Sequence, residues 1–277
     1  MFKINTKHLF LKYNFLVLFF IFFTAFIVIV GLFKFFYSKP TYLYIKVKVG
    51  QGLWWAATQK PEFWFVKSIK KGEKELDLRG KPQSEILGLS SYPVLTENSY
   101  SRFDIFVDIR IKTSFDKRNN RYIFKRDVVS VGSPIEFQFP SVNITGTVID
   151  MSNKPIQSKY IEKIVYLYSF GGYKKDFTYL WDNLIVGDKY FDGKEIVFQV
   201  IDKQLIESIR LPSDIYGRIY EQQNDVVQHI LVKARIKLLQ KEGEFFYGEE
   251  RPIKIGDNAP FLTNDFNFET FSIVKIE

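Results

Sequence analysis

Phe103-Asp-Ile-Phe-Val-Asp-Ile-Arg-Ile-Lys112 alternates apolar and polar residues almost without a break. Side chains on a strand point to opposite faces in turn, so Phe103, Ile105, Val107, Ile109 and Ile111 share one face and Asp104, Asp108, Arg110 and Lys112 the other. That is the signature of a half-buried strand. The same pattern spreads outward. Tyr42-Leu-Tyr-Ile-Lys-Val-Lys-Val49 sets Ile45, Val47 and Val49 against Lys46 and Lys48. Asp116 to Arg121 is a polar turn, Tyr122-Ile-Phe124 restarts the sheet, and Ser133 to Phe139 and Val142 to Ile149 continue it. Short strands with polar turns between them predict a small barrel or sandwich.

The pattern recurs downstream. His229-Ile-Leu-Val-Lys-Ala-Arg-Ile-Lys237 echoes Asp104 to Lys112, and Lys163-Ile-Val-Tyr-Leu-Tyr168 echoes the first strand. Leu184-Ile-Val-Gly187, with Gly193-Lys194 after it, echoes Ile69-Lys-Lys-Gly72, with Gly80-Lys81 after it. Ile255-Gly256-Asp257 matches Val131-Gly132-Ser133, and Lys241 to Glu244 matches the turn Lys117 to Asn120. The expectation is two diverged β-rich copies, 41–152 and 156–277, joined near Ser152-Asn-Lys-Pro155. The competing reading is one larger sandwich whose strands resemble each other because strands do. The extra length of the second copy falls around Ser213 to Asn224, read as a short helix or an exposed loop.

Upstream of the strands the chain changes character. Phe15 to Phe33 reads FLVLFFIFFTAFIVIVGLF, without a charge. As a helix these residues span about 28 Å, close to the roughly 30 Å hydrocarbon core of a bilayer. A cleaved signal peptide is usually shorter and ends in small residues, whereas this run leads into Lys34-Phe-Phe-Tyr-Ser-Lys-Pro40. The expectation is an uncleaved transmembrane helix over 15–36, after a basic cytoplasmic tail over 1–14. The short tail stays inside and the long remainder is extracytoplasmic, because long domains translocate largely regardless of charge. Tyr37, Tyr42 and Tyr44 suit an interfacial aromatic belt.

The net charge of +8 belongs to the same region. Residues 1–61 hold eight of the 39 basic residues and no acidic one; the remainder carries 31 basic (39 less eight) and 31 acidic residues. Lysines beside a membrane helix lie near anionic headgroups, worth about 1 kcal/mol each. A basic stripe on the folded part, the footprint of nucleic-acid binding, is not expected.

Few residues suggest chemistry. The absence of cysteine excludes disulfides, thiolate metal sites and a cysteine nucleophile. His8 lies in the tail and His229 at a strand entrance, and no nucleophile elbow, phosphate loop, zinc-protease helix or dinucleotide fingerprint is present. Glu73, Glu75 and Asp77 would share a strand face, but Lys74 and Leu76 between them make it read as a solvated mixed-charge face. Asp104 and Asp108 read as partners of cross-strand ion pairs. Asn143-Ile-Thr145 is a formal glycosylation sequon inside a strand. No catalytic, cofactor or metal site is therefore expected. Trp54, Trp55, Phe63, Trp64 and Phe65 form a dense aromatic cluster that is either barrel core or a contact surface for a partner or membrane.

Val47-Lys-Val-Gly-Gln-Gly52, Lys71-Gly-Glu-Lys74, Gly80-Lys-Pro82 with Glu85-Ile86, and Val131-Gly-Ser133 with Gly146-Thr-Val148 resemble bacterial envelope proteins of domain-of-unknown-function family 4330. That resemblance covers most of the first copy and implies no activity. One anchor followed by glycine-marked strands is also distantly similar to MCE domains, the membrane-anchored β-barrels of lipid transport, although the long helical region of many of those is missing. The combined expectation is a non-enzymatic, single-pass envelope module acting as scaffold, adaptor or assembly partner, through an envelope protein or self-association. The alternative is an MCE-like lipid-binding or lipid-transport oligomer.

Overall fold

The computed structural model describes residues 15–36, 41–50, 60–94, 102–169, 174–210 and 225–277. Two units form, one of residues 1–41 and the other of Tyr42–Glu277. In the first unit Phe15–Phe36 is a 22-residue helix, α1. Among the described residues no helix is long and apolar enough to cross a membrane.

The second unit is mainly β. Its first sheet holds β1 (Thr41–Val49), β2 (Lys74–Leu76), β3 (Pro82–Pro93), β4 (Phe103–Asp116), β5 (Arg121–Phe124), β6 (Asp127–Val129), β7 (Pro134–Gln138) and β8 (Asn143–Ser152). The order is β2-β3-β4-β1-β8-β7, with the β5–β6 hairpin continuing from the end of β4. A short helix, α2 (Phe63–Ser68), sits between β1 and β2. The second sheet holds β9 (Tyr160–Ser169), β10 (Lys189–Phe191), β11 (Ile196–Arg210), β12 (Asp225–Lys241), β13 (Glu244–Tyr247), β14 (Arg251–Pro252) and β15 (Phe271–Ile276), and α3 (Lys174–Asn183) lies between β9 and β10.

Element by element, the two sheets are wired alike. β1 and β9 each pair with the last strand of their sheet, β8 and β15. β3–β4 has its counterpart in β11–β12, and the β4–β5–β6 run in β12–β13–β14. Even the bulges coincide. The β3–β4 register slips between Ile86 and Gly88, and β11–β12 slips between Val200 and Asp202. The glycine turns coincide too. Gly72 N–H donates to Ile86 at 2.8 Å and Gly187 N–H to Val200 at 3.0 Å; Gly132 N–H donates to Val148 at 2.7 Å and Gly256 N–H to Ile273 at 2.8 Å. A bulge is a designed irregularity that re-aims a strand, so matching bulges are stronger than matching strands. The sheets part company after β6 and β14. Where the first sheet has β7, the second has an isolated bridge, Asn258 to Ser272, and a loop that buries Ala259, Phe261, Phe266 and Phe268.

Each sheet packs its own core. Leu43, Ile45, Val47, Ile105, Val107, Ile109, Phe137 and Val148 belong to the first, and Val165, Leu167, Phe198, Val232, Ile236, Phe261 and Phe271 to the second. Tyr92 and Phe106, from β3 and β4, sit in the second core. The predicted faces of β4 are seen: Phe103, Ile105, Val107, Ile109 and Ile111 are buried. On β1 the expectation needs correcting. Ile45, Val47 and Val49 are buried as expected, but so is Lys46, at 3% exposure. The second half of the chain covers the face that alternation assigns to solvent. α2 and α3 carry no sequence expectation, and the helix or loop expected over 213–224 lies outside the described residues.

Candidate functional site

Two places concentrate polar or exposed aromatic side chains. The first is the junction between the sheets. Lys46, on β1, reaches Glu249 in the turn between β13 and β14; both side chains are at least 96% removed from solvent. A buried ion pair persists only when its remaining hydrogen-bonding capacity is met. Here Lys46 Nζ also meets Ser158 Oγ at 3.0 Å, and Tyr160 O–H donates to Glu249 at 2.9 Å. Burial, then the charge of Glu249, pushes the Tyr160 hydroxyl well above its ordinary range, so it stays a donor.

Asp192 is the second node. Its Oδ1 accepts from the backbone N–H groups of Lys194 and Glu195 at 2.7 and 2.9 Å. Its Oδ2 accepts from Tyr92 O–H at 2.9 Å, and its carbonyl accepts from Ser91 N–H at 2.8 Å. Tyr190 O–H donates to the Ser91 carbonyl at 3.0 Å. Desolvation raises the hydroxyls of Tyr92, Tyr190 and Tyr247, that of Tyr190 to about 12. Gly193 is required here. At φ +112° its Cβ position lies 2.9 Å from the Leu89 carbonyl, so a side chain would collide with β3.

Beside these nodes opens a cavity of about 240 Å³, walled by Tyr92, Phe106 and Tyr247 and rimmed by Lys48, Lys60, Asp104 and Arg251. Lys60 meets Asp104 at 2.9 Å and Lys48 is ion-paired with Glu250. Charges on the rim are thus largely matched. Tyrosine hydroxyls donating to Asp192 and Glu249, with the Lys46–Glu249 pair, tie the two sheets together as a polar lock. Among the described residues no three histidines or carboxylates gather at metal-binding range.

The second place is α2. Phe65 and Val66 pack against the first core, and the Phe63 ring lies 5.5 Å from that of Phe103. Trp64 is 66% exposed and Phe63 49% exposed. Trp64 Nε1 donates to Glu62 at 3.1 Å, and Lys67 Nζ stands 4.5 Å over the Phe63 ring. Trp64 and Phe65 border an open cleft of about 530 Å³ with Lys60, Arg102, Asn143 and Thr145. Of the five clustered aromatics, then, Phe63 and Trp64 face outward and Phe65 is half-buried. Trp54 and Trp55 lie outside the described residues.

Glu73, Glu75 and Asp77 are placed differently from their expectation, whereas Asp104 lies 3.8 Å from Lys48 on the neighbouring strand β1, a cross-strand ion pair. β2 is only three residues long, and Glu75 is 5% exposed, ion-paired with Lys125 and accepting from Ser84 Oγ at 2.9 Å. Glu73 instead accepts from Ser141, and Asp77 caps its own turn through the N–H groups of Arg79 and Lys81. The solvated mixed-charge face does not form, because β2 packs onto the β5–β7 side of the sheet. Asp108 pairs with Lys194 of the other sheet at 2.6 Å, and Arg110 with Glu85 across β3–β4. His229 Nδ1 lies 3.3 Å from the Ser169 carbonyl, and its ring stacks on Tyr168.

Sequence reasoning missed the junction nodes Lys46, Asp192 and Glu249. Their partners are some 100 to 200 residues away, and the only local sign was Asp192-Gly193, an ordinary turn pair. The chain matches no family model, no curated protein and no solved structure.

Proposed function

We propose that this chain is a membrane-anchored, extracytoplasmic β module that serves the cell envelope as scaffold, adaptor or assembly partner and catalyses no reaction. The observation that carries this reading is α1, a continuous 22-residue helix of sequence FLVLFFIFFTAFIVIVGLFKFF. Its 22 residues rise about 33 Å at 1.5 Å per residue, the length on which the proposed anchor rests. Phe19 to Gly31 leave their apolar side chains exposed. Such a surface demands a cover, and a bilayer is the cover that a predominantly apolar helix suits. The basic tail stays inside and residues 41–277 lie outside.

Matched pairings, bulges and glycine turns support an origin as two diverged copies of one β unit, 41–152 and 156–277. The polar lock between the sheets supports a rigid platform, as an adaptor requires. Two measurements test the reading. The full-length protein should resist alkaline carbonate extraction from membranes, whereas a chain lacking residues 1–36 should be released. Cross-linking in intact envelopes should give a defined adduct with a second envelope protein; if none forms beyond background, the adaptor role is lost.

A further inference from the structure

The outward side of α2 has a composition that discriminates between kinds of partner. None of its residues is buried, and Phe65 and Val66 pack it against the core, which leaves Trp64 66% and Phe63 49% exposed. Around them the charge is one-sided. Lys60, Lys67, Lys70, Lys71 and Lys74 fall within 15 residues, against Glu62 and Glu73. Glu62 accepts from Trp64 and Glu73 from Ser141, both neutral donors, so five lysines against two glutamates leave an excess of three positive charges. Lys67, Lys70, Lys71 and Lys74 have no ion-pair partner among the described residues, and Arg102 borders the same cleft as Trp64.

Protein–protein interfaces concentrate tryptophan and arginine but are depleted in lysine. Aromatic rings with lysines beside them are instead the chemistry of the headgroup region, where the rings sit at the interface and each lysine is drawn to an anionic leaflet. We infer that α2 is a second membrane contact, in which Phe63 and Trp64 enter the headgroup layer of the anchoring bilayer and Lys67, Lys70 and Lys71 bind anionic lipid. This rests on the reading of α1 as an anchor. A patch of two rings is weak alone, but tethering raises its effective concentration into the millimolar range, so a modest intrinsic affinity suffices.

The full-length chain, reconstituted into vesicles with brominated acyl chains, tests this directly, because bromine quenches only tryptophans at short range. Two compositions are needed, phosphatidylcholine alone and phosphatidylcholine with phosphatidylglycerol. Trp64→Phe isolates the Trp64 contribution among the four tryptophans. Trp64 emission should be quenched in the anionic vesicles and less so in the neutral ones. Lys67→Gln should weaken the contact about fivefold. Unquenched Trp64, or quenching equal in the two compositions, overturns the inference. Carbonate extraction of the same preparations separates the two failures. An extracted protein removes the anchor as well, whereas a retained protein with unquenched Trp64 removes only this contact.

Discussion

Lys46 is the residue that a period-two reading assigns to solvent and the fold assigns to the interior. Its ammonium and the Glu249 carboxylate hold each other in a site that neither could enter alone. Removing one partner leaves a buried charge uncompensated, a cost of about 3–5 kcal/mol. Glu249→Ala should therefore lower the unfolding midpoint of the full chain sharply, while Lys46→Met combined with Glu249→Leu should recover much of that loss. Equal losses in the single and double variants would show that the pair is not coupled. Asp188 has the opposite problem. Burial, then the nearby charge of Asp265, raises its carboxyl above the ordinary 3.8, and its Oδ2 has no hydrogen-bond partner. The folded state therefore binds this proton more tightly than the unfolded chain does. That contribution to stability is full below pH 3.8 and disappears as the pH rises through the raised value. At neutral pH the ionised group works against the fold. Asp188→Asn should melt above the parent at neutral pH, with the advantage vanishing in acid. A variant that melts below the parent at neutral pH refutes this account.

Strands whose faces alternate were legible because their partners need only be apolar. β4 could be read from Phe103 to Lys112, and β1, β5, β7 and β8 with it. α3 could have been found from Phe177, Leu180 and Trp181, spaced for one helical face. The helix runs over Lys174–Asn183. β2 was misread because an alternating run of charges looks solvated until a distant element covers it, as Lys125 covers Glu75. Gly146 shows the same limit in a strand. In the fold a Cβ there would lie 2.3 Å from the Lys48 carbonyl and 2.7 Å from a Val47 methyl. The close β1–β8 approach, with Val49 opposite Gly146, is possible only for glycine. Gly146→Ala should force the strands apart and cost about 3 kcal/mol or more, at the upper end of overpacking effects. Slowed exchange is expected of the Gly50 amide, which bonds the Thr145 carbonyl, and Gly146→Ala should speed it. An unchanged rate places the strain elsewhere.

At the scale of the whole molecule, two sheets of like wiring raise the question of whether they behave as two domains. The repeated sequence suggests that they do. Three observations argue that they do not. Tyr92 and Phe106 belong to the first sheet by sequence and to the second core by packing. Asp192 satisfies Tyr92 with its side chain and Ser91 with its carbonyl. Among the described residues Lys46 is ion-paired with Glu249 alone. Unfolding either sheet alone would therefore strand buried groups in the other, and a stranded polar group costs about 1–3 kcal/mol, more when charged. Residues 42–277 should accordingly melt in one transition, with near-ultraviolet dichroism and amide exchange in β4 and β12 changing together. Asp192→Ala removes the acceptor of the Tyr92 hydroxyl and two N–H groups, and should lower that single midpoint by several degrees without splitting it. Two separated transitions in the parent would mean that the lock adds little. A split appearing only in Asp192→Ala would mean that this one side chain, more than the shared core, couples the halves.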